Sequence, residues 1–145
     1  MYIDSNNQAS SSLLKPKVHL TQYPHIKFEK ESVIKIDKLD NVINSNKYNF
    51  INMDVQGYEL EALKGGGDCL NNIDYIKTEV NRDEVFDGCA RIEELDEFLL
   101  NYGFIRVEAT WDGVTWGDAF YIKKMKLSNR RKLNWKIKRI LNLNK

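Results

Sequence analysis

Apolar and polar positions along this chain fall into runs whose periods point to particular elements. Over Tyr48–Val55 (YNFINMDV) apolar residues are nearly continuous, interrupted by Asn, which is the pattern of a strand covered on both faces. Gly57 ends that run, and Tyr58–Lys64 reads as a helix. Leu60 and Leu63 share a face there, with Glu59 and Glu61 at the electropositive start and Lys64 at the end. Gly65–Gly67 stops it. Ile73–Val80 (IDYIKTEV) predicts a second buried strand. Arg91–Tyr102 predicts a helix with Ile92, Leu95, Phe98, Leu99 and Tyr102 on one stripe and Gly103 as its stop. Phe104–Thr110 predicts a third strand. Asp112-Gly113 is a hairpin signal, and Trp116–Lys123 predicts the returning antiparallel strand. The first forty residues are less regular. They suggest a strand at Met1–Asp4, a Ser-rich turn at Ser10–Ser12, a segment closed by Pro24 and a short strand of Val33, Ile34 and Ile36. A helix begun by Leu39, Val42 and Ile43 follows, with Asp40 placed to cap it.

Strand, helix, strand, helix, strand, hairpin and strand in that order imply an α/β fold with a mostly parallel sheet and a C-terminal antiparallel hairpin. The residues alone carry the reading to half of a Rossmann-like sheet. A length of 145 residues suits one domain with its own core.

Charge divides the chain further. The net of +1 conceals an asymmetry: residues 1–122 hold 12 basic residues against 21 acidic, a net of −9, and residues 123–145 hold 10 basic residues and no acid. The acidic body argues against a nucleic-acid partner. The end, NRRKLNWKIKRILNLNK, places Leu133, Ile137, Ile140 and Leu141 on one helical stripe among Lys and Arg. Residues 1–123 therefore read as the domain and 124–145 as a basic amphipathic tail, which can rest on an anionic membrane surface, dock on the acidic body or remain solvated. Cys69 and Cys89 are too few for a disulfide scaffold or a structural zinc site. The polar start and the absence of any long apolar run lead to the expectation of a cytoplasmic protein, at most peripheral to a membrane.

Three segments taken together resemble the FkbM family of methyltransferases. They are NNQASSSLLKPKVHLTQYPHIKF (residues 6–28), INMDVQGYELEALKGG (51–66), and IKTEVNRDEVFDG with its following apolar helix, GF and WGDAFYI. Asn52 stands where the family usually has Lys. The resemblance implies a class I methyltransferase sheet and S-adenosylmethionine as cofactor. It also implies an O-methyltransferase acting on a hydroxyl of a sugar or glycan-like acceptor, with a non-catalytic remnant or interaction module as the rival reading. The family's glycine-rich cofactor loop is not encoded here, since Gly65–Gly67 follows a helix instead of opening one. The expectation is thus a C-terminal portion lacking the N-terminal cofactor-binding strands, with an incomplete cofactor site and weak binding of S-adenosylmethionine. Strand 48–55 would then have a free edge that invites a missing N-terminal half or a second copy.

Ligands of open α/β sheets sit beyond the carboxyl ends of the strands. Asp54, Gln56 and Glu59 follow one strand, Glu79 and Asn81 close the next, and Asp118 lies on the antiparallel strand. The resemblance places Asp54 beside the sulfonium and the acceptor. Asp54 and Glu79 are the candidates to remove a hydroxyl proton, with His19, whose ordinary pKa is about 6.5, as a further possible base. Asp54, Gln56 and Ser12 are the candidate cofactor contacts. Glu59, Asn81, Trp116 and Asp118 are the candidate acceptor contacts. Each has a plainer use: a helix cap for Asp54, an ion pair for Glu79, the helix dipole for Glu59, turn and hairpin contacts for Ser12, Asn81, Asp118 and Trp116. The acidic residues show no metal-ligand spacing, and no required metal is expected.

Overall fold

The computed structural model describes residues 1–43, 47–111 and 113–127. Its elements are β1 (Tyr2–Asp4), α1 (Val18–Gln22), β2 (Phe28–Glu31), α2 (Leu39–Val42), β3 (Phe50–Met53), α3 (Glu59–Lys64), α4 (Gly67–Asn72), β4 (Tyr75–Asn81), α5 (Ile92–Asn101), β5 (Phe104–Thr110) and β6 (Trp116–Lys123). Four strands form one mixed sheet in the order β3-β4-β6-β5. β3 and β4 run parallel, and β6 is antiparallel to both of its neighbours, β4 and β5. β3, β4 and β5 therefore share one direction, and the last strand slots between the two before it. The hairpin is present as β5 and β6; Asp112, half of its turn signal, lies outside the described residues.

One face of this sheet carries the main core. Leu63 of α3, Leu70 of α4, and Ile92, Leu95 and Leu99 of α5 pack with Ile76, Val80, Phe104, Ala119 and Tyr121 of the strands. Burying side chains of this size contributes about 1.5–3 kcal/mol each. A polar clamp fixes α5 against the hairpin: Arg106 donates two hydrogen bonds to Asp96, at 3.0 and 2.8 Å, and the Tyr121 hydroxyl donates to the same carboxylate at 2.9 Å. Burial, then the Asp96 charge, pushes the Tyr121 phenol well above its ordinary range.

The first thirty residues form a separate arm. β1 and β2 make a two-stranded antiparallel sheet, and α1 leads back to the main body. The Lys17 and His19 amides donate to the Val85 carbonyl, Gln22 bonds Thr115, and the Trp116 indole donates to the Tyr23 hydroxyl. The arm thereby closes over the loops that follow β4 and precede β6.

Four local expectations are corrected. The second strand is Phe28–Glu31, not Val33–Ile36; Val33 and Ile36 are exposed, because β1 finds its partner one turn earlier. Asp40 sits inside the first turn of α2 and caps α4 instead, accepting from the Asp68 and Cys69 amides at 3.0 and 2.8 Å. Gly65–Gly67 ends α3 and also opens α4, a helix its polar sequence (GDCLNN) does not announce. β3 is not covered on both faces: it is the sheet's edge, and Phe50 and Asn52 point outward. Among the described residues no helix is long and apolar enough to cross a membrane. The basic tail from residue 128 onward lies outside the described residues.

Candidate functional site

The parallel pairing of β3 with β4 ends at Met53 opposite Thr78, so Asp54 and Glu79 leave the two strands side by side. Immediately beyond, the chain turns sharply. Gln56 has φ of 52° and Gly57 a φ of 93°, both in the left-handed region. For a non-glycine residue such as Gln56 this region costs roughly 1–2 kcal/mol, so the turn needs bracing. Three hydrogen bonds brace it. The Ser12 hydroxyl donates to the Gln56 carbonyl at 2.6 Å, and one Glu59 carboxylate oxygen accepts from the Val55 and Gly57 amides at 3.0 and 3.1 Å. Gly57 also lacks room for a side chain, since a Cβ there would meet Cys89 Cβ and Phe86 Cδ2 at 3.0 Å.

The product of this turn is the position of the Gln56 side chain. Its amide nitrogen donates to Asp54 Oδ1 at 2.7 Å and to Glu79 Oε2 at 3.2 Å, joining the two strand ends. Oxygens of Asp54, Glu59 and Glu79 all lie within 4.8 Å of one another. Asp54 is exposed, whereas Glu59 and Glu79 are buried. Such crowding disfavours charge. Burial first, then the neighbouring charges of Glu59, Asp54 and Asp118, push the Glu79 carboxyl up to about 8. Burial likewise raises the Glu59 carboxyl above its ordinary value, against the pull of the backbone amides it accepts.

The ladder brings Asp118 opposite Glu79 and Trp116 opposite Asn81. Asp118 also pairs with Lys77 at 3.0 Å. Asn81 is 1% exposed, and neither its amide nitrogen nor its amide oxygen has a hydrogen-bond partner among the described residues. Buried amides are ordinarily satisfied, so these two atoms are the donor and acceptor this side chain can offer at the strand end. The Trp116 indole is anchored by Tyr23, which fixes its plane beside Asn81.

The structure therefore assembles Asp54, Gln56, Glu59 and Glu79, with Asp118 and Asn81 following from the strand register. Asp54 is no helix cap, because Tyr58 occupies that place in α3. Ser12 reaches the site through the Gln56 carbonyl, with its hydroxyl committed there. His19 lies in an aromatic box of Tyr23, Phe28 and Phe86, with Nδ1 unpartnered among the described residues. Burial lowers its pKa, and no hydrogen bond joins it to the carboxylates in the described residues. Sequence reasoning missed the bracing role of Glu59, the closing contacts of Gln22, Tyr23 and Thr115, and Arg82, whose guanidinium lies 3.6 Å from the centre of the Trp111 ring. None of these has a local pattern that announces it.

A parallel pair with polar residues at its carboxyl ends, followed by a helix and an inserted antiparallel strand, is an α/β arrangement of the kind that holds ligands beyond its strand ends. The methyltransferase FkbM domain matches residues 2–106, most of the chain, and the chain belongs to that family. It is also similar to a protein described as 2-O-methyltransferase NoeI from Sinorhizobium fredii, with 26% identity over 99 residues covering 66% of this chain. The match spans 41% of that protein's length. No solved structure matches the chain significantly.

Proposed function

We propose that this chain is the acceptor-side part of an S-adenosylmethionine-dependent O-methyltransferase that methylates a hydroxyl of a sugar or glycan-like acceptor. The observation that carries the reading is the Asp54–Gln56–Glu79 junction at the carboxyl ends of two parallel strands, inside an FkbM domain. The strand order agrees with it, since class I methyltransferases end their sheet with an antiparallel strand inserted in this way. The relative described as a 2-O-methyltransferase favours a hydroxyl acceptor.

The residues suit a positively charged donor. Three carboxylates converge with Asp54 at the exposed side, and a cation there would relieve their mutual repulsion. When bound, S-adenosylmethionine supplies an electrophilic methyl group on sulfur. The chain's own task is to hold a hydroxyl in line and take its proton. Glu79 is the general base in this scheme: its carboxyl, raised to about 8, is matched to accepting a proton near neutral pH. The new bond is oxygen to methyl, the broken bonds are methyl to sulfur and O–H, and the proton ends on Glu79. Asn81 and Asp118 orient the acceptor, Asn81 with both amide atoms unpartnered among the described residues. Gln56 sets the distance between Asp54 and Glu79, and Glu59 holds the turn.

Transfer of labelled methyl from S-adenosylmethionine to a panel of sugars and oligosaccharides tests the proposal. Glu79→Gln is expected to lower turnover by about 10²–10⁴, the usual contribution of a positioned base. Asp54→Ala should lower turnover far more than stability. Unchanged turnover in both variants would remove the carboxylates from the chemistry.

A further inference from the structure

The second face of the sheet presents an apolar strip that crosses all four strands in one ladder row. Phe50 pairs with Tyr75, Tyr75 with Ile122, and Ile122 with Ile105, and cross-strand partners share a face. At the β5 end of this row Ile105, Ile122 and Leu127 are already buried together, with Leu100, Tyr75 and Phe120 packed against them and the rings of Tyr75 and Phe120 parallel. The open part of the strip therefore runs from these rings to the β3 edge. At the outer end Phe50 is 48% exposed on the free edge strand, with Tyr48 beside it at 57%. Apart from Leu100 of α5, which packs at the β5 end, the residues that α3, α4 and α5 give to the core clusters lie on the opposite face among the described residues. The distance from β5 to β3 is three strand spacings, about 14 Å.

We propose that this strip is the docking surface for the chain's own basic C-terminal segment, residues 128–145. The chain leaves the described structure at Leu127, already seated on the row. Its root is already bound to the acidic body: Lys126 pairs with Asp74 at 2.9 Å and Lys123 donates to the Asn71 carbonyl at 2.7 Å. The segment carries seven basic residues and no acid, against the acidic excess of residues 1–122. On the row next to the strip Glu108 faces it, while Lys77 on that row is paired with Asp118 of the row beyond. Its stripe of Leu133, Ile137, Ile140 and Leu141 supplies the apolar partner. Fourteen residues in helical form extend about 21 Å, enough to reach the β3 edge. The row lies at the amino ends of β3 and β4, so the docked segment leaves the carboxylate site open at the other end.

The test compares the full chain with Leu133→Asp/Ile137→Asp and with Phe50→Asp, with circular dichroism confirming that each remains folded. Binding of an apolar dye and hydrogen exchange over residues 74–78 and 118–123 are the readouts. Docking predicts a several-fold rise in dye binding and faster exchange at the strip in the Leu133→Asp/Ile137→Asp variant. It also predicts a smaller rise in the full chain in 1 M salt, about where charge screening reaches 3 Å. Unchanged dye binding and exchange in that variant would overturn the proposal. So would a dimer in sedimentation that Phe50→Asp dissociates while the tail substitutions do not. Equal protection of the strip with the segment held on vesicles of anionic lipid would likewise assign the segment to membranes.

Discussion

Replacing Glu79 by Gln keeps the shape of the side chain and removes its titration, which isolates the electrostatic cost of the carboxylate cluster. The unfolded chain ionises this group at its ordinary value of 4.5, and the folded chain holds the proton up to about 8. A raised folded value means that the favourable contribution is complete below 4.5 and is lost as pH rises toward 8. Each pH unit in that window is worth at most 1.36 kcal/mol, so a rise from pH 5 to pH 8 removes about 4 kcal/mol as a ceiling. The exposed Asp54 side of the cluster and the Gln56 hydrogen bond reduce this, and about 2 kcal/mol is the working expectation. Urea unfolding of wild type and Glu79→Gln at pH 5, 6.5 and 8, with a chelator present, measures it, because other titrating groups cancel in the difference between the two proteins. The variant should gain on wild type steadily with pH and overtake it or close the gap by pH 8. A stability difference that does not change with pH would refute the burial and charge crowding assigned to Glu79.

Gly57→Ala forces a side chain onto a φ of 93° and within 3.0 Å of Cys89 and Phe86, and should lose about 2–3 kcal/mol in chemical denaturation. His19 has a lowered pKa from burial, so its contribution is present above its ordinary 6.5 and lost as pH falls through the lower folded value. His19→Leu should therefore flatten the acid side of the stability profile, as followed by thermal melts between pH 7.5 and 5. Ser12→Ala removes the bond to the Gln56 carbonyl and should lower stability by about 1–2 kcal/mol, with faster hydrogen exchange at Gln56 and Gly57 as the local readout.

Apart from α4, the run of elements from residue 50 onward was legible in the amino-acid pattern. Period and punctuation are local properties: the stripe of Ile92, Leu95 and Leu99 and the stop at Gly103 appear in the fold where the pattern puts them. The same patterning drew Asp54, Gln56, Glu79 and Asn81 together as strand-end residues, because consecutive parallel strands present their carboxyl ends on one side. The remainder depends on how distant elements meet. An apolar run such as Phe50–Met53 reads the same whether it lies at the centre or the edge of a sheet, and only pairing shows the edge. Whether Asp40 caps the helix it begins or one 28 residues later depends on how α2 meets α4. Glu59, which reads as a charge at a helix start, closes the Gln56 turn because the left-handed backbone there turns two amides toward it. The elevated pKa of Glu79 is likewise a property of convergence, since its causes lie 20, 25 and 39 residues away in sequence and meet only when β3, β4 and β6 pair.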